Sequence, residues 1–149
     1  IVISNDSLTG TATVKCVLKL RINKPINMSC INGLGGITNY HPIYLDTKPQ
    51  EWLFPITYTN SKYFPEIDSY MYDFVLDQGH TINTQGGFNL ACLGHGITSS
   101  PVIQHEYFGT SKIINDLMDH PTWNTGIITL DNWEFIRDKI SNQVIRLEY

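Results

Sequence analysis

The 149-residue sequence predicts a single, mainly β domain carrying one short helix in its C-terminal third. Three observations lead there. Apolar and polar residues alternate in several segments, which is the period of a half-buried strand. Turn signals built on Gly, Pro and Asn recur about every eight to twelve residues through the first two-thirds, the spacing of an all-β chain. The length gives one well-buried core and leaves too little chain for two typical domains.

The clearest strand runs from Thr13 to Ile22, where Val14, Cys16, Leu18, Leu20 and Ile22 share one face. Cys16 therefore points inward as a small core residue. Lys24-Pro25 breaks this strand, and Met28 to Ile31 forms another before the turn Gly33-Leu34-Gly35-Gly36. Trp52-Leu53-Phe54-Pro55 and Ile56-Thr57-Tyr58 are expected to be short strands. Tyr70 to Asp77 alternates again, His80 to Asn83 lies between the turns at Gly79 and Gly86-Gly87, and Phe88 to Leu93 is a short apolar strand. Ser111 to Asp119 changes period. There Ile113, Ile114, Leu117 and Met118 recur at helical spacing behind hydroxyl residues able to cap, and His120-Pro121 stops them. For the final segment, Asp131 and Glu134 have the spacing of a helix capping box. A hairpin of Trp133 to Ile136 with Val144 to Leu147 fits better.

Composition excludes several classes. A net charge of −4 with scattered lysines and arginines makes no basic stripe for nucleic acid. Apolar stretches are interrupted every few residues, so none spans a membrane, and Ile1 to Asp6 lacks the order of a signal peptide. The odd number of cysteines, Cys16, Cys30 and Cys92, fits reduced thiols and a reducing compartment better than a disulfide framework.

Three groups stand apart from packing: Thr38-Asn39-Tyr40-His41, Asp73 with His80 seven residues on, and Gly94-His95-Gly96. Thr38 and His41 alone would suit local backbone bonding. Asp73 shares a strand face with Met71 and Val75 between large neighbours, so its pKa should be raised unless a partner offsets the burial. Cys92 and His95 have the spacing of half a zinc site, to which His41, His80 and His105 could in principle add ligands. No second such pair completes the site, so Cys92 is expected to pack and His95 to occupy a glycine turn.

Taken in order, these residues resemble a known pattern. Ile37-Thr38-x-x-His41-Pro42 is similar to the Thr-x-x-His motif of Hint domains, the self-processing modules of hedgehog proteins and inteins. Tyr72-Asp73-Phe74-Val75 followed by His80 resembles the intein strand in which an Asp precedes a His, and Gly87-Phe88-Asn89-Leu90 resembles what comes next. Trp52-Leu53-Phe54-Pro55, Cys92-Leu93-Gly94-His95-Gly96 and His105-Glu106-Tyr107-Phe108-Gly109-Thr110 resemble the Vint variant found beside von Willebrand A domains. The resemblance implies one domain over residues 1–149, with the Hint horseshoe of short twisted strands and no cofactor. It implies autoprocessing, in which a Cys or Ser attacks the preceding carbonyl to give a thioester or ester. Thr38 would hold the scissile amide and His41 would protonate its nitrogen. Asp73 would exchange a proton with the nucleophile, and His80 would stabilise or protonate the tetrahedral intermediate. The substrate and partner would be the chain's own precursor or an N-terminal fragment, with a small nucleophile as acceptor.

The sequence also departs from that pattern. Ile stands at position 1 and no Cys precedes the first strand, so the N-terminal nucleophile segment is expected outside this chain and cleavage in cis is not expected from it as it stands. Ala91-Cys92 replaces the terminal His-Asn of inteins and the chain runs on to Tyr149, which argues against splicing and for hedgehog-like cleavage. Two alternatives remain: an inactive Hint-like scaffold serving interactions, and the large fragment of a split self-processing domain.

Overall fold

Ala12, Cys16, Leu18 and Leu20 all fall on one face of the long strand β2 (Thr11–Arg21), and that face is buried. β2 is consequently the spine of a four-stranded sheet in the computed structural model, which describes residues 1–149. Strand β1 (Val2–Ser4) runs antiparallel to its first residues, and β7 (Tyr70–Leu76) lies antiparallel along its other edge, with Leu18 opposite Asp73. The register between β2 and β7 shifts between Val14 and Cys16, a bulge that increases local twist. β10 (Ile127–Leu130) joins β2 in parallel.

Two smaller sheets carry the loops of interest. Strand β3 (Met28–Ile31) pairs with β4 (Gly35–Ile37) and β6 (Lys62–Tyr63). Strand β9 (Phe88–Ala91) lies between β5 (Ile43–Leu45) and β8 (Thr81–Asn83). The fold is therefore mainly β, and the strands expected at Met28, Tyr70 and Phe88 form, the last ending at Ala91.

Ile56-Thr57-Tyr58 is not a strand. Pro55 occupies the first turn of a short helix, α1 (Pro55–Tyr58), where its fixed φ suits a helix start and its missing N–H costs nothing. Ile56 N–H then donates to Asn39 O at 3.2 Å, so α1 closes over the loop that precedes His41. Of Trp52 to Phe54 only Leu53 bridges to a strand residue, Ile43.

The expected C-terminal helix is α2 (Ser111–Met118), capped by the Thr110 hydroxyl, which accepts Lys112 N–H at 3.3 Å. A single 3-10 turn follows at Trp123–Thr125. The final segment is the hairpin, β11 (Glu134–Arg137) with β12 (Val144–Glu148). Ile113 and Leu117 of α2 and Val144 and Leu147 of β12 pack on Leu18, Leu20, Val75 and Ile128 of the spine sheet, forming the largest core. No helix is long and apolar enough to cross a membrane.

Candidate active site

The short segment Ala91-Cys92-Leu93 gathers the motif residues. Ala91 N–H donates to Pro42 O at 3.0 Å, Cys92 N–H to His80 O at 2.9 Å, and Leu93 N–H to Phe74 O at 3.0 Å. Three backbone bonds thus tie the Thr38–His41 loop, the His80 turn and the strand of Asp73 to consecutive residues. The partners lie far apart in sequence, so only the sheets bring them together.

His41 is half-buried, and its Nε2 sits 2.8 Å from Ala91 O. A carbonyl oxygen can only accept, so Nε2 carries a proton and Nδ1 is left without a hydrogen bond within the chain. Asn39 anchors the same loop, taking a hydrogen bond from the Ser29 hydroxyl at 2.9 Å and donating one to Asn27 Oδ1 at 3.0 Å. His41 N–H closes the turn onto Thr38 O at 3.1 Å. The Thr38 side chain is exposed and its hydroxyl bonds to nothing within the chain.

Asp73 carries a raised pKa. Desolvation of its carboxyl is the leading cause, opposed by the charge of His41 and by the Phe74 N–H, which Oδ1 accepts at 2.8 Å. His41 and Asp73 are therefore within electrostatic reach of each other. Cys92 is buried, and desolvation followed by the Asp73 and Asp6 charges pushes its thiol far up, which makes a poor nucleophile. Cys16 is fully buried in the main core and likewise raised by desolvation. Neither thiol suits attack on a carbonyl.

The family model described as the Vint Hint-domain matches residues 2–146. The chain belongs to the Vint family of Hint domains. Among curated proteins, none matches it.

One Vint-domain residue of this cluster has no sequence signal. Asp6, in the turn between β1 and β2, receives His80 N–H on Oδ1 at 2.6 Å and Thr81 N–H on the same atom at 3.0 Å, while Oδ2 faces His80 Nδ1 at 2.9 Å. It is 74 positions from His80. A lone Asp in an Asn-Asp-Ser turn is indistinguishable by sequence from any solvated turn residue.

His95 lies in its glycine turn, with Gly94 and Gly96 both at positive φ. It is 8 % exposed, and its Nδ1 accepts Ile97 N–H at 2.9 Å. Burial, reinforced by the charges of His80, His105 and His41, pushes its pKa down to about 4, so the ring is neutral near pH 7. Cys92 and His95 do not converge with a third His, Cys, Asp or Glu able to hold a metal ion. All three cysteines are free thiols.

Proposed function

We propose that this Vint domain is an autoprocessing module that cleaves its own precursor through an acyl shift of the hedgehog type, with a Cys or Ser nucleophile supplied from outside residues 1–149. One observation carries the reading: Thr38-His41, Asp73 and His80 are hung on the single segment Ala91-Cys92-Leu93 by consecutive backbone bonds. Side chains unrelated in function need no common anchor.

The chemistry follows from the geometry. The exposed Thr38 hydroxyl is free to bond the scissile amide, and His41 is held through Nε2 so that protonated Nδ1 can act as general acid on the departing nitrogen. Asp73, whose carboxyl burial holds above the ordinary aspartate value, exchanges a proton with the attacking Cys or Ser. His80 stabilises the tetrahedral oxyanion. The nucleophile's bond to the carbonyl forms as the amide C–N bond breaks, and a small acceptor such as a thiol or water then releases the acyl segment. The domain turns over once.

The test is the intact mass of the precursor, expressed with a Cys or Ser upstream of Ile1, followed over time with and without a thiol. Thiol-accelerated loss of the N-terminal piece is expected, and His41→Ala should slow it by about 10²- to 10⁴-fold. A precursor that stays whole under both conditions would instead make the domain an inert scaffold. Activity appearing only after a separate N-terminal fragment is added would assign the chain to a split module.

A further inference from the structure

Asp6 takes no part in the chemistry just described, yet three hydrogen bonds from the His80 turn converge on its carboxylate. The seat is shaped to receive it. Gly79, at φ +73°, leaves no room for a side chain: a Cβ there would collide with the Asn5 amide and stand 2.9 Å from Asp6 Oδ1. Asn5, 5 % exposed, donates to Gln78 O at 2.9 Å and accepts Ser7 N–H at 3.0 Å, which fixes the turn that carries Asp6. Burial acts to raise the Asp6 carboxyl, but the bonds from His80 and Thr81 outweigh it and hold the pKa below the ordinary aspartate value.

A carboxylate can only accept, so the His80–Asp6 bond requires the proton to sit on Nδ1. His80 Nε2 makes no hydrogen bond within the chain, and the side chain is 48 % exposed. We propose that Asp6 is the positioning residue of His80, fixing the imidazole with its proton on Nδ1 so that Nε2 is the working nitrogen of the site. This rests on the autoprocessing reading for its consequence, although the ring orientation itself does not. The neutral ring offers Nε2 as a proton acceptor. Once protonated there, it donates Nε2–H to the oxyanion while Asp6 balances the charge of the imidazolium. A carboxylate that merely pinned the turn through its backbone bonds would not care which tautomer the ring adopts.

Asn at position 6 separates these roles. Its Oδ1 still accepts both backbone N–H groups, but its amide N–H turns toward His80 Nδ1 and forces the proton onto Nε2. Ring 15N chemical shifts of neutral His80, recorded on residues 1–149 of the wild type and of Asp6→Asn, should show Nδ1–H in the first and Nε2–H in the second. In the precursor, Asp6→Asn should slow cleavage by about 10²- to 10⁴-fold with the fold intact. A wild-type spectrum with the proton on Nε2 would overturn the proposal without any substitution being needed. So would a tautomer that switches while cleavage keeps its rate. If the wild-type precursor stays whole while His80 is Nδ1–H, the positioning stands and the autoprocessing reading fails.

Discussion

Two regions of the molecule are built differently. Toward α2 and the terminal hairpin, twelve buried residues including Leu18, Ile113, Leu117 and Ile128 form one continuous apolar core. Toward the motif loops the apolar groups are smaller, four buried residues around Ile43 and Phe88 and four around Tyr44 and Trp52. All five buried polar residues, Asn5, Ser29, Thr81, Asn89 and His95, lie outside the large core. Apolar packing is non-directional and stabilises whatever is attached to it. Hydrogen bonds are directional, so they are what can hold an imidazole at one angle. The large core supplies stability, and the hydrogen-bonded turns around His41 and His80 supply geometry.

Truncating the large core should have the greatest effect on stability. Leu117 is fully buried, so Leu117→Ala should cost roughly 2–5 kcal/mol by urea unfolding, through lost transfer energy and the cavity left behind. At a temperature where the variant is still folded, precursor cleavage should keep its rate. A rate that fell with the fold intact by circular dichroism would break the division between the core and the hydrogen-bonded turns.

His95 sharpens the comparison from the polar side. Its folded pKa, about 4, lies below the ordinary histidine value of 6.5, so the folded state resists protonation. The stability linked to it is complete above pH 6.5 and is lost as pH falls toward 4. The loss is on the order of 3 kcal/mol, from 1.36 kcal/mol per unit. Denaturant unfolding at pH 7 and pH 4 should show wild type losing more than His95→Gln by about that amount. Equal losses would remove His95 from the packed interior.

The smallest expected effect has the opposite sign. Burial raises the Asp73 carboxyl above the ordinary aspartate value of 3.8, so its ionised form is a burden on the folded state at neutral pH. Asp73→Asn should therefore stabilise the protein by about 1 kcal/mol near pH 7 while slowing cleavage, the trade expected of a residue kept for chemistry. The gain should shrink as pH falls back toward 3.8, because the wild-type carboxyl also takes up a proton as the pH falls. A destabilised variant would identify Asp73 as a structural carboxylate.

Much of the fold was legible locally. The face of Val14, Cys16, Leu18 and Leu20, the helical spacing of Ile113 and Leu117, and the terminal hairpin each depend on residues a few positions apart, and a period survives in a linear string. The run Ile56-Thr57-Tyr58 misled because β-branched and aromatic residues favour strands, whereas Pro55 and the bond from Ile56 to Asn39 decided for a helix. Thr38, His41, Asp73 and His80 stood out as motifs, since their spacing within each block is short. Asp6 did not, because its only distinction is a partner 74 residues away.

The sequence by itself determined the mainly β class, the family and the residue types available for chemistry, because periodicity and motif spacing are local properties. The tertiary structure alone decided that Ala91-Cys92-Leu93 is the common anchor, that His41 is left with Nδ1 free, and that Asp6 faces His80. Each of those is a hydrogen bond between segments distant in the chain, and its direction exists only once the sheets have closed.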